Sequence, residues 1–163
     1  MDATYPLGRV SYAAECPIGV LGRWLETGVI EMRAGDVDSP HQGIPRQFSV
    51  PRVLQIAAVR ALNSLGVSPL RAASASLPWT DQGTAGLAAG EVFDDGYTFL
   101  AIDDGGARVV NFPADVGLAQ AIQTGAGWNP RATIFLDLRR LRERVLDRLA
   151  EIAPTNPNRY ETK

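Results

Sequence analysis

The segment RQFSVPRVLQIAAVRALNSLGVSP, residues 46–69, decides how the chain is read. Ser49 suits a helix N-cap, because its hydroxyl can accept from an orphan N–H of the first turn. Pro51 sits just inside, where a missing N–H costs nothing. Apolar side chains then recur at Val50, Val53, Leu54, Ala57, Ala58, Ala61, Leu62 and Leu65, which is helical spacing. Gly66 supplies the left-handed stop. Ser68 and Pro69 open a second helix by the same cap-and-proline logic. Two helices therefore meet at a tight corner, and a basic, extended segment leads into the first.

Working back from residue 46, the chain predicts a short strand over 44–48, a loop over 34–43 rich in Gly, Asp and Pro, and a partner strand over 29–33. That pair would form a hairpin wing flanked by Arg33 and Arg46, with Arg52 in the first turn of the next helix. Further upstream, residues 7–15 and 18–27 predict two short helices broken at Cys16-Pro17 and stopped by Gly28. Leu21, Trp24 and Leu25 share one stripe of the second helix. Gly19, Val20, Gly22, Arg23 and Glu26 should face away from it. Two readings of the glycines stand: close approach to a partner's backbone, or a short frayed helix. Residues 1–6 read as a lead.

Working forward, Leu77-Pro78-Trp79 should end the N-terminal unit, and residues 80–90 read as a linker or a loosely packed helix. The period then changes. Residues 91–93, 97–102 and 107–112 read as strands, with turns at Asp94-Asp95-Gly96 and Asp103-Asp104-Gly105-Gly106. Residues 115–124 predict a helix, Trp128 sits in a loop, and 133–136 predict a strand. Asp137 can cap a helix over 138–152 with an apolar stripe of Leu138, Leu141, Val145, Leu149 and Ile152. Five arginines (139, 140, 142, 144 and 148) back that stripe. It packs on the adjacent sheet or serves as a dimer interface, and its arginines are candidates for DNA or an acidic partner.

The fold class is thus α+β. A mainly helical winged helix-turn-helix occupies 1–76 and a linker 77–90. A small α+β unit for dimerisation or effector sensing occupies 91–153, and a polar tail expected to be disordered occupies 154–163. Net charge is −2, so a globally basic nucleic-acid binder is not indicated. Residues 1–76 hold seven arginines against six acids, while the remainder holds nine basic against twelve acidic residues. The asymmetry has the sign expected for DNA binding at the N-terminal end. Lys163 is the only lysine, an arginine bias that fits a GC-rich bacterial genome or its phages. The single cysteine, Cys16, excludes an internal disulfide and a Cys-rich metal site. No signal peptide or long apolar run is seen, which predicts a cytoplasmic protein.

These parts, in their order and spacing, resemble the DNA-binding domain of the MerR family over residues 7–76. Arg46, Phe48 and Ser49 match the arginine, aromatic and Ser/Thr of that family's wing-to-helix junction. Trp24 and Gly28 match the aromatic and glycine near the end of its recognition helix, and residues 63–68 match the corner between its third and fourth helices. The chain departs from the family at Glu15-Cys16-Pro17, at Gly22 where an arginine is common, and at Pro78 where a long dimerisation helix would run. The resemblance implies double-stranded DNA as partner, with Arg23 on base edges or phosphate and Arg46 on phosphate. Gly22, Arg9, Arg33 and Arg52 are further candidate contacts. A homodimer on two half-sites is expected, and the C-terminal unit is open to a protein partner.

No catalysis, cofactor, metal or membrane is called for. Asp94-Asp95 and Asp103-Asp104 precede glycines and read as hairpin turns rather than catalytic carboxylates. His41 reads as a solvated loop histidine, and Gly83-Thr84-Ala85-Gly86 lacks the lysine of a phosphate loop. Trp24 and Phe48 read as core anchors, Cys16 as a buried, inert thiol. A rival reading is a protein-interaction adaptor or anti-activator on a winged-helix fold. Gly22, the near-neutral charge and Glu26, Asp36 and Asp38 near the presumed DNA face favour it.

Overall fold

A computed structural model describes residues 3–38, 45–84, 86–117, 119–120, 123 and 133–151. In chain order the described elements are β1 (Thr4–Pro6), α1 (Leu7–Ala13), α2 (Ile18–Glu26), β2 (Gln47–Ser49), α3 (Val50–Ser64) and α4 (Pro69–Thr80). Then come β3 (Tyr97–Asp103), β4 (Gly106–Phe112), β5 (Ile134–Asp137) and α5 (Leu138–Glu151). The class is α+β, with a two-stranded sheet β1-β2 and a three-stranded sheet of order β4-β3-β5, all pairs antiparallel.

α3 is the central helix. Its first two-thirds is buried on every side, including Arg52 and Gln55, so it needs neighbours all round rather than on one stripe. α1, α4, α5 and β2 supply them. Its end is a Schellman motif: Gly66 (φ +88°) donates to the Asn63 carbonyl at 3.0 Å and Val67 to that of Leu62 at 3.2 Å.

The three-stranded sheet divides by its period of two. Leu100, Ile102, Val109, Ile134 and Leu136 face the helices, whereas Phe99, Phe112 and Phe135 stack on the opposite face. The main core is continuous from Val10 and Trp24 through Trp79 to Leu141 and Leu149. Asp137 caps α5 as expected, accepting from the Arg140 N–H at 3.0 Å.

Several expectations change. The lead is not a lead: Tyr5 pairs with Phe48 and Thr4 with Ser49, making residues 4–6 the partner of the strand before α3. No strand forms over 29–33. Gly28 (φ +72°) turns the chain back so that Ile30 donates to the Trp24 carbonyl at 3.1 Å, and Arg33 and Asp36 then close a turn on each other. Among the described residues the expected wing shows a single bridge, Val37 with Gln47. Ser49 is in N-cap position, but its hydroxyl hydrogen-bonds Asp36 Oδ1 at 2.8 Å rather than a helix N–H.

α4 runs through Pro78 to Thr80 instead of ending at residue 77. The proline forfeits one bond to the Ser74 carbonyl, and burial of Trp79 and Thr80 offsets it. Residues 81–91 fold back onto that helix end: Gly90 donates to the Trp79 carbonyl at 2.8 Å, and Trp79 Nε1 donates to the Glu91 carbonyl at 2.8 Å. Residues 91–93 are therefore not a strand, and the turn at 94–96 enters β3 without a strand before it. Residues 114–117 form a turn and bend. Of the helix predicted over 115–124, residues 119, 120 and 123 are helical and four positions lie outside the described residues, as do Ile44, His41, Trp128, Ile152 and the tail.

Gly96 has a specific reason. At φ +84° an added Cβ would lie 2.3 Å from the Phe112 carbonyl oxygen. Gly96→Ala should lower stability by at least ~1 kcal/mol, since alanine meets both a left-handed backbone and a backbone clash. Urea denaturation of the variant checks this; a midpoint equal to the parent's would mean the 94–96 turn is free to rearrange.

Candidate nucleic-acid interface

α1 and α2 are joined by a four-residue turn, Ala14 to Pro17, and Cys16 and Leu21 are driven into the core there. α2 is helical throughout 18–26, so its glycines do not fray it. Leu21 and Trp24 are buried, and Gly19, Val20, Arg23 and Glu26 are exposed, as the wheel predicts. A Cβ at Gly19 or Gly22 would meet nothing within 4 Å. Packing inside the chain therefore gives no reason for either glycine.

The six candidate contacts separate. Arg23 is exposed, and its side chain makes no hydrogen bond or ion pair among the described residues; the alternative pairing with Glu26 is not formed. Arg46 is exposed and pairs with Asp38 at 2.9 Å. Arg33 is exposed and pairs with Glu31 at 3.3 Å and, more loosely, with Asp81 at 3.6 Å. Exposed pairs of this kind are held weakly in water, so a phosphate can replace a carboxylate as partner.

Arg52 and Arg9 belong elsewhere. Arg52 is 2 % exposed. Its Nε donates to Asp36 at 3.1 Å, Nη2 to Asp81 at 2.9 Å and Nη1 to Gln55. It cannot reach a duplex. Asp36 is equally interior and accepts from Arg33 N–H and from Ser49 N–H, both at 2.8 Å, so it is not an acid on the outer face. Arg9 donates to the Leu149 carbonyl at the end of α5 at 2.5 Å and lies 5.3 Å over the Tyr5 ring. Its position is that of a helix C-terminal cation.

Three arginines of α5 are likewise committed within the chain. Arg139 donates to the carbonyls of Phe93 and Asp94, Arg142 to Gly90 and bidentately to Glu91, and Arg148 to Glu15 and Tyr12. The apolar stripe from Leu138 to Leu149 is buried in the same core and offers no dimer surface. One feature had no sequence signal at all: Ile18, 55 % exposed at the start of α2. A helical wheel leaves Ile18 undecided, because only the third dimension shows that nothing covers it.

The carboxylates of the hairpin turn act structurally. Asp103 accepts from the Gly105 N–H at 2.8 Å and pairs with Arg108 at 3.2 Å. Cys16 is 1 % exposed, and burial pushes its thiol up to about 11. Protonated Cys16 is thus favoured by folding, so its contribution to stability is intact below the ordinary 9.0 and is lost as pH rises through about 11. Iodoacetamide at pH 8 should leave the folded protein unmodified and alkylate it only in denaturant, as mass spectrometry reads out. Rapid native-state labelling would show that the α1–α2 turn opens.

The fold is α+β, and it contains two short helices joined by a four-residue turn, the second of which carries one unpartnered cation among the described residues. No protein-family model matches the chain, and no curated protein matches it. Among the described residues no helix is long and apolar enough to cross a membrane.

Proposed function

We propose that the protein is a sequence-specific, double-stranded-DNA-binding transcriptional regulator of bacterial or phage origin. It acts in the cytoplasm as a homodimer on two half-sites. The observation that carries this reading is the outer face of α2: Arg23 exposed without a partner, beside two glycines that internal packing does not require. Such a surface admits close approach of a duplex and gives it one long donor-rich side chain. Arg46, paired with the exposed Asp38, and Arg33, paired with the exposed Glu31 and loosely with Asp81, supply the phosphate contacts. Because the stripe of α5 is interior, the dimer contact uses another surface. The MerR-like resemblance over residues 7–76 supports the same assignment.

Selection from a random duplex library at physiological salt tests it. A defined site should be enriched. Arg46→Ala should weaken all sequences alike, by about tenfold, and reduce the slope of log K against log salt by about one unit. Arg23→Ala should also change which bases are preferred. An Arg46→Ala protein with unaltered affinity and salt slope would remove the wing from the interface.

A second reading has an observation of its own. Ile18 and Val20 are 55 % and 38 % exposed on α2, which also carries the exposed Glu26. Exposed apolar side chains on this short helix are what a protein-interaction adaptor would dock with. A folded protein that enriches no DNA sequence, yet loses a protein partner on Ile18→Asp, would establish the adaptor instead.

A further inference from the structure

A cleft of about 340 Å³ lies where the end of α1, the second half of α3 and the first half of α5 meet. Its floor is shaved to methyl groups by Ala13, Ala14, Ala57 and Ala61, with Leu141 and Val145 at the side. Its rim carries Glu15, Arg60 and Arg144, and Arg148 stands next to Arg144 one turn along α5. Three guanidiniums thus lie around Glu15, two of them on its carboxylate and one on its main-chain carbonyl.

The way they share it matters. Arg148 takes Glu15 Oε1 at 2.6 Å. Arg144 reaches Oε2 only at 3.9 Å, and Arg60 Nε meets the Glu15 carbonyl at 3.4 Å. Arg60 makes no ion pair among the described residues. A guanidinium has five N–H donors in a planar fork, so Arg60 and Arg144 keep most of theirs for something else. Alanines leave a space that leucine or valine would have filled, and interiors are ordinarily packed to crystal-like density. The volume is about twice that of an apolar cavity that takes benzene.

We propose that this cleft is a binding site for a small organic carboxylate with a short apolar body. Its carboxylate is held by the forks of Arg60 and Arg144, and its body lies on the alanine floor. Guanidinium forks match carboxylate oxygens two by two, and the methyl floor selects against a bare inorganic anion. The occupant joins the end of α1 and the central helix α3 to α5. It also competes with Glu15 for Arg144. Glu15 is the one non-glycine residue at positive φ (52°) among the described residues, and it forms the turn between α1 and α2. Drawing arginine away from it would loosen the turn that sets α2. That regulatory consequence rests on the DNA-binding reading; the binding itself does not.

Calorimetric titration of the full chain with hexanoate and with phenylacetate tests the site, with inorganic phosphate and hexanol as probes of charge alone and body alone. At least one carboxylate should bind saturably, with hexanol and phosphate about tenfold weaker or undetected. The Arg60→Ala/Arg144→Ala double variant should lose about tenfold or more in affinity. Ala61→Phe, which fills the cleft from its half-exposed edge, should abolish binding while circular dichroism and the urea midpoint stay native-like. No saturable binding by either carboxylate would overturn the proposal. So would phosphate binding as tightly as the carboxylates, or undiminished binding in a folded Ala61→Phe protein. Because no DNA enters this titration, its failure and failure of the DNA reading are separately visible.

Discussion

Arg52→Ala should cost about 3–5 kcal/mol, the penalty of stranding buried carboxylates by removing their cation. Asp36 is fully enclosed and Asp81 nearly so. With Arg52 gone, Asp36 keeps its N–H partners from Arg33 and Ser49 but loses the only charged side chain that hydrogen-bonds it. Three segments part company at once: the 33–36 turn, the entry to α3 and the exit of α4. Domains of this size are stable by roughly 5–15 kcal/mol, so the variant should be marginal at 37 °C. Arg52→Lys keeps the charge but not the planar fork, and should recover only part of the loss. Urea midpoints of the three proteins, at equal slope, check the order. An alanine variant within about 1 kcal/mol of the parent would mean that water reaches the carboxylates.

Trp79→Ala should be comparably damaging, at about 3–5 kcal/mol, as for other large buried aromatics cut to alanine. Trp79 is 1 % exposed, and its indole N–H holds the Glu91 carbonyl. The ring fills the junction between α4 and the fold-back of residues 81–91. Trp79→Phe keeps most of the volume and loses that part-buried hydrogen bond, so it should cost about 0.5–1.5 kcal/mol. If alanine and phenylalanine variants melted together, the hydrogen bond rather than the packing would be what matters.

What was legible in the sequence was whatever local rules decide. Ser49-Val50-Pro51 and Gly66 bracket α3 to within a residue, because caps and stops are written next to the helix they serve. The hairpin at Asp103–Gly106 and the cap at Asp137 follow from the same kind of neighbourly chemistry. What was illegible depended on partners far away. A three-residue strand containing Pro6 has no period to read, so β1 is visible only once Phe48 lies opposite Tyr5. Residues 29–33 look like a strand until Asp36 is seen to be an interior ion gathering four donors.

The candidate site was half legible for the same reason. The exposed face of α2 followed from helical spacing, and Arg23 with it. The burial of Arg52 did not, because its partner Asp81 is 29 positions away. Nor did the use of the arginines of α5 as clamps on carbonyls of residues 90–96 and 12, which no run of adjacent letters records.

Arg9 donating to the Leu149 carbonyl joins positions 140 apart in a chain of 163. During synthesis, α1 can pack on α2 and α3 but lacks its α5 cover until residues 138–151 have left the ribosome. Pairing of this range is slow to form and leaves apolar surface open meanwhile. Ribosome-bound fragments stopped before residue 138 should bind chaperones and be readily cut by protease. The α1–α2 pair would then settle only once α5 has joined it, so a nascent segment that stops short of α5 does not yet present the finished outer face of α2.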